Sequence, residues 1–416
     1  MKPGTVMGMG TIPDCTGLDH DDFLDPGADI RISIDKDAKT ITIADNGIGM
    51  AAALAVLEST DIAHGPLEVL LTTNEEAGMD GAFGLKPGLL QGKLLLNTDS
   101  EQDGEVYMGC AGGLDALIQL PINYQPPAAN TVMFNVRLSG LRGGHSGCDI
   151  HRGRGNAIKL LAQLLDNSQQ GCPFALAELQ GGTLRNAIPR EATATVAVAV
   201  GDEERFSRNL LQQFDAACAE LRLADPNLKL ALSPSTKQQH VLSEDSCLRL
   251  LGLIRKLANG VLRMSDAIDG VVDSSSNLGI LRLGQHHAEL LCLIRSLNAS
   301  GKADIAGQLQ AVARLCGAKV SLSGDYPGWQ PNPESLAMAL VRDCHQQLFG
   351  SIPNIMVIHA GLECGLFKAA YPEWDMVSFG PTIRFPHSPD ERVEIASVAR
   401  FWQLLVEVLK QLPQQP

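Results

Sequence analysis

Short, continuously apolar runs alternate with helical stretches in the first hundred residues and again towards the C-terminus. This alternation constrains the fold more than any other feature. Residues 40–44 (TITIA), 67–73 (LEVLLTT) and 93–97 (KLLLN) read as strands, and the Ala-rich stretch 50–59 reads as a helix. Runs of this length, bounded by polar turns, suit a parallel sheet covered by helices on both faces. Near the end, 335–349 is amphipathic with Gly350 as its stop, 375–379 is a strand, and 393–411 is a long terminal helix. The expected fold class is α/β, with a mixed, mostly parallel sheet and flanking helices.

The middle of the chain has a different texture. Strand-like runs at 131–139, 192–200, 227–233 and 288–296 are interspersed with helical periodicity at 156–165, 203–223, 246–257 and 303–317. Pro126–Pro127 and the turn around 325–328 bracket the region. It reads as an inserted α+β domain that splits the first domain in two. The expected boundaries are 1–115 with 325–416 for the first domain and 116–324 for the insertion. A chain of 416 residues exceeds the size that one core usually serves, which agrees with two domains.

Charge and cysteine usage narrow the function classes. The formal net charge of -14 opposes a nucleic-acid backbone or an anionic membrane surface. The ten cysteines are scattered without a C-x-x-C pair, so they read as reduced thiols of a cytoplasmic protein. No stretch approaches the roughly 20 apolar residues of a membrane span. The expected partners are therefore small molecules, with no nucleic acid and no membrane.

Four polar clusters each follow a predicted strand: Asp45 in ADNGIGM, Glu75–Glu76 in NEEAGMDG, Asp99 in NTDSE, and His387 in GPTIRFPHSPDE. In an open α/β sheet ligands collect at the carboxyl ends of the strands. Carboxylates gathered there repel one another unless a cation holds them. Carboxylates with one His and no Cys suit a hydrolytic zinc site better than a structural one. Taken singly, each cluster is as readily a solvated acid after a strand. The adjacent Glu75 and Glu76 suggest a division of labour, one ligating a metal and the other taking a proton from the attacking water. In the insertion, His145 in LRGGHSG, Asn186 in GGTLRNAIPRE and Arg295 in LCLIRSL are further candidates. Arg295 could grip a carboxylate through both arms of its guanidinium, although a surface ion pair is the commoner fate. No G-x-S-x-G elbow and no glycine-rich phosphate loop occurs.

From Ile43 onward, the segments ADNGIGMAAALAVLE, HGPLEVLLTTNEEAGMDGAFGL, NTDSEQDGEVYMGCAGG, GGTLRNAIPREA, YPGWQP and HAGLECGLFK with GPTIRFPHSPDE resemble the aminoacyl-histidine (cytosol non-specific) dipeptidases. These belong to the co-catalytic di-zinc aminopeptidases and carboxypeptidases. The resemblance implies that Asp45 bridges two zinc ions, Asp99 completes the first metal's shell, and Glu76 with His387 holds the second. Glu75 is then the general base. His145 helps to bind the reacting carbonyl, and Asn186 and Arg295 hold the substrate carboxylate. It further implies a lid and dimerisation role for the insertion, a homodimer, and metal-assisted hydrolysis of dipeptides ending in histidine. Cobalt or manganese could replace zinc.

The start of the chain departs from that family. The family carries an H-x-D motif on a strand well upstream of the bridging Asp, its His ligating the first zinc. Here only 44 residues precede Asp45. His20-Asp21-Asp22 has the letters but sits in a polar run that reads as loop. Residues 28–50 (ADIRISIDKDAKTITIADNGIGM) instead resemble the ATP-binding domain of GHKL-type heat-shock chaperone ATPases, as a strand pair followed by a nucleotide-binding turn. Residues 1–42 are therefore expected to be atypical, with the N-terminally truncated domain missing a strand and a ligand. The alternatives that follow are an inactive or single-zinc homologue and, less consistent with the rest of the chain, a nucleotide-binding module.

Overall fold

The computed structural model describes residues 47–72, 79–235, 240–266, 268–384 and 391–412, with the strand backbones at 5–9, 32–35 and 40–43. The chain divides into two compact units, Met1–Cys110 with Pro327–Pro416, and Ala111–Tyr326. The first unit begins with strands β1 Thr5–Met9, β2 Ile32–Asp35 and β3 Thr40–Ile43, then helix α1 Ile48–Glu58. Strand β4 Leu67–Leu71, the short helix α2 Asp80–Phe83, and strands β5 Leu94–Asn97 and β6 Glu105–Cys110 follow. The second unit contains strands β7 Gly112–Pro121, β8 Thr131–Ser139, β9 Phe174–Gly181, β10 Ala192–Ala199 and β11 Lys229–Ser235. It continues with β12 Gly260–Met264, β13 Val272–Leu283, β14 His287–Ser296 and β15 Lys319–Tyr326. Its helices are α3 Ala157–Gln169, α4 Glu203–Leu221, α5 Glu244–Lys256 and α6 Ala299–Leu315. The chain then returns to the first unit with α7 Leu336–Phe349, β16 Asn354–Ile358, α8 Glu363–Ala370, β17 Asp375–Ser378 and α9 Ile395–Gln411.

The sheet of the first unit has the order β16-β6-β17-β5-β1-β4. Strands β4, β1, β5 and β17 run parallel, whereas β6 opposes β17. Leu95 and Leu96 are both fully buried, because adjacent residues face opposite sides and both sides are covered. Helix α7 starts where Ser335 accepts a hydrogen bond from the Met338 amide and stops at Gly350 in the left-handed region (φ 72°), as its sequence predicts.

Two expectations about the N-terminal part are corrected. The strand at 40–43 does not join the parallel sheet; it pairs antiparallel with β2 in a two-stranded sheet of its own. Asp45 therefore does not follow a strand of the main sheet, and the argument from four equivalent strand ends loses one member. The expected missing strand is also filled. The backbone of Thr5–Met9 lies between β4 and β5, parallel to both, with Thr5 opposite Leu67 and Leu94. Those neighbours offer two rows of unpaired backbone groups, which any segment able to extend can satisfy.

The sheet of the second unit is antiparallel, with the order β11-β8-β10-β9-β13-β14-β7-β15 and β12 paired on β13. Alternating residues of β7 (Ala116, Ile118, Leu120) and β14 (Leu290, Cys292, Ile294) are buried in one core with Ile158 and Leu161 of α3, Leu250 and Ile254 of α5, and Leu309 of α6. Helix α3 is capped by Asn156, whose side chain accepts from the Ile158 and Lys159 amides. Helix α5 carries Glu244 and Asp245 in its first turn and Arg255 and Lys256 in its last, complementing the helix dipole. The strand-like and helical stretches read at 131–139, 192–200, 227–233, 288–296 and in the four helical segments all form, with ends shifted by a few residues.

Leu161 is fully buried in this core, whereas Leu223 is 81% exposed. We expect Leu161→Ala to cost about 2–5 kcal/mol and Leu223→Ala less than about 0.5 kcal/mol. Urea unfolding of the two variants, read in the transition of the second unit, checks the contrast.

Candidate functional site

In the first unit, described residues at the carboxyl ends of β4 and β5 meet the N-terminus of α8. The amide of Asp99 donates to Asn97 Oδ1 at 2.8 Å, and Ser378 Oγ at the end of β17 donates to the same oxygen at 3.1 Å. Ser100 and Ser378 share a hydrogen bond at 2.6 Å. These bonds fix the turn after β5, so that Asp99 is carried exposed on a buried base of Asn97, Thr98 and Ser100. Beside it, Glu363 is 2% exposed and accepts from Thr72 Oγ1, just past β4, at 2.9 Å. Its place in the first turn of α8 favours the negative charge. Cys364, next to it, has its thiol pushed well up by burial, and by the neighbouring Cys110, Glu363 and Asp99. Glu363 was not singled out in the sequence, although it stands in the quoted HAGLECGLFK; the signal was a carboxylate opening an apolar helix.

In the second unit, His145 and Arg295 meet. Gly144–His145 pairs antiparallel with Ala187–Ile188, and the amide of Ser146 donates to the Asn186 carbonyl at 2.8 Å. Asp149 anchors the loop by accepting from the His145 amide at 2.9 Å, while pairing with Arg152 and Arg154. The Gly147 and Cys148 amides both donate to His145 Nδ1, at 3.2 and 3.0 Å. Nδ1 is thus an acceptor, and the neutral ring carries its proton on Nε2. Burial, reinforced by the charge of Arg295 and opposed by Asp149, lowers the His145 pKa to about 4, so the ring is neutral near pH 7.

Arg295 lies on β14 and is 4% exposed. Its Nη1 donates to the Tyr326 hydroxyl at 3.0 Å and its Nε lies 3.4 Å from Ser146 Oγ. Its Nη2 is 3.4 Å from His145 Nε2. With the proton on Nε2 these two atoms are both donors, so they do not bond to each other. They present adjacent N–H groups, an arrangement complementary to anionic or carbonyl oxygen. Nearby, Asp115 pairs with Arg185 at 3.0 Å; burial raises its pKa against the pull of that guanidinium. Asn186 is exposed, and the buried Asn277 holds its neighbours by donating to the carbonyls of Arg185 and Ala187.

Of the eight residues expected to form the site, the structure brings His145, Asn186 and Arg295 together in the second unit, and Asp99 lies at the strand edge of the first. Asp45, Glu75, Glu76 and His387 fall outside the described residues. Among the described residues no group of three or more His, Cys, Asp or Glu could hold a metal ion. Exposed Asp99, in the same unit as the buried Glu363, offers the hard oxygen donor that a hydrolytic zinc or similar cation takes. The described cysteines are all unpaired, and burial pushes Cys110 up to about 11 and Cys292 up to about 12, which makes them poor nucleophiles. No helix among the described residues is long and apolar enough to cross a membrane.

Comparison with known proteins gives the chain's family. The chain is 50% identical over 371 residues to the cytosol non-specific dipeptidase of Escherichia coli (strain K12), covering 89% of this chain and 76% of that protein. It is similar in structure to the aminoacylhistidine dipeptidase of Vibrio alginolyticus, with a TM-score of 0.87 and 45% identity, over 98% of this chain and 86% of that one. Residues 42–411 match the peptidase family M20/M25/M40. On a match of that extent, with a relative at half identity, the chain belongs to peptidase family M20/M25/M40.

Proposed function

We propose that this chain is a metal-dependent dipeptidase that hydrolyses short peptides, with aminoacyl-histidine dipeptides among its substrates. The observation that carries the reading is the pair of adjacent donors, His145 Nε2–H and Arg295 Nη2, 3.4 Å apart in a buried setting. In a dipeptide the scissile carbonyl oxygen and the C-terminal carboxylate are separated by a single residue. Neighbouring donors suit both oxygens at once and do not need a long groove. The half identity to a cytosol non-specific dipeptidase and the structural likeness to an aminoacylhistidine dipeptidase support the same substrate class.

On this reading Asp45, Glu76, Asp99 and His387 hold zinc, two ions if a histidine supplies the ligand that the family's H-x-D motif gives and one without it. When bound, the metal supplies Lewis acidity and a water of lowered pKa. Glu75 accepts the proton of the attacking water and returns it to the leaving amine. His145, neutral, donates from Nε2 to the oxygen of the scissile carbonyl and strengthens that bond as negative charge develops. Arg295 and Asn186 hold the carboxylate. A homodimer through the second unit and a cytoplasmic location belong to the same proposal.

The direct test is hydrolysis of β-alanyl-histidine and alanyl-histidine by the purified chain with added zinc. We expect activity that a chelator abolishes, and loss of nearly all turnover in Glu75→Gln with bound metal retained. Substantial turnover in that variant would remove Glu75 as the base. No turnover from the folded wild-type chain would leave family membership without the activity.

The lowered pKa of His145 gives a second expectation. The folded group binds its proton near pH 4 and the unfolded group near its ordinary 6.5, so the unfolded chain takes up more protons between these values. Stability must therefore fall as pH is lowered through that window. His145→Gln should flatten part of the slope in melting temperature against pH; an unchanged slope would contradict a neutral, buried ring.

A further inference from the structure

A second phenomenon surrounds Arg295 that the reading above does not use. Across the sheet, Arg295 of β14 is opposite Gly113 of β7, and Gly113 is opposite Tyr326 of β15. The three residues thus form one row over three strands, with a glycine in the middle. A Cβ at Gly113 would lie 2.4–2.5 Å from Cε1, Cζ and the hydroxyl of Tyr326. The phenol ring therefore lies across the glycine and reaches the guanidinium beyond it.

The row exists because β15 contains an extra residue. Its register with β7 is regular from Lys319 opposite Gln119 to Ser323 opposite Asp115, and then slips so that Tyr326 meets Gly113. Three steps along β15 match two along β7. Without the extra residue Asp325 would stand opposite Gly113, and Tyr326 would face the other side of the sheet. Gly324 takes the left-handed conformation that the bulge needs (φ 61°). Lys302 of α6, 5% exposed, pins the bulge by donating to the Asp325 carboxylate and to the Tyr326 carbonyl. Such a device re-aims one side chain, and the chain spends a bulge, a glycine and a buried lysine on it.

The hydroxyl so placed accepts from Arg295 Nη1 at 3.0 Å. Its own proton then has no acceptor among the described residues. We propose that Tyr326 is a substrate-binding residue: it fixes the guanidinium of Arg295 and donates its phenolic O–H to the C-terminal carboxylate of the bound dipeptide. Resting on the reading that Arg295 holds that carboxylate, this adds a donor to it beside the guanidinium and Asn186. A carboxylate has about four acceptor positions, and a guanidinium fills only two of them well.

The test is equilibrium binding of alanyl-histidine and of its C-terminal amide by calorimetry, in the zinc-loaded Glu75→Gln chain so that turnover does not intervene. Tyr326→Phe keeps the ring over Gly113 and removes only the hydroxyl. We expect it to weaken binding of alanyl-histidine about tenfold while leaving the amide unchanged, the size of one hydrogen bond to a charged group. Equal weakening of both ligands, or of neither, would overturn the proposal. Arg295→Lys separates it from the reading beneath. If Arg295→Lys lowers the preference for the free carboxylate and Tyr326→Phe does not, only the role of Tyr326 fails. If neither variant alters that preference, or the parent chain does not bind alanyl-histidine, both fail together.

Discussion

Burying the guanidinium of Arg295 in the sheet of the second unit is the constraint around which that unit's loops are arranged. Removing a cation from water costs on the order of several kcal/mol unless its donors find partners. Ser146, the Tyr326 hydroxyl and the field of Asp115 supply them, and each comes from a different segment. The loop at 143–149, the loop that ends at Asn186 and the last residue of β15 are thus drawn to one place. His145 stays neutral largely because it is buried there beside that charge.

The first unit builds a buried polar base at its strand ends. At or just past the ends of the parallel strands β4, β5 and β17 stand Thr72, Asn97 and Ser378, whose side chains hydrogen-bond to neighbouring side chains. That buried polar base leaves Asp99 exposed above it and Glu363 fixed beside it.

Membership of the M20/M25/M40 peptidases begins, in the family match, at residue 42. His20-Asp21-Asp22, which has the H-x-D letters, lies outside the described residues, while the backbone of Thr5–Met9 completes the sheet between β4 and β5. Sheet completion and ligand supply are separate requirements. Backbone hydrogen bonds accept nearly any extended sequence, whereas a metal site asks for particular side chains.

Residue patterning alone carried the elements that depend on local order: the strand at 131–139 and the helix capped by Ser335 and closed by Gly350. It also marked His145, Asn186 and Arg295 one by one, through motif resemblance. What it left open was everything set by pairing at long range. The strand at 40–43 looked fit for the main sheet and pairs elsewhere, because an apolar run does not state its neighbour. Glu363 and Tyr326 went unnamed, because their significance lies in Thr72 and Arg295, hundreds or tens of residues away. The slip in β15 that turns Tyr326 towards Arg295 exists only once β7 lies beside it. Local periodicity and capping are properties of a segment; register and burial of charge are properties of the packed sheet, and only the tertiary structure decides them.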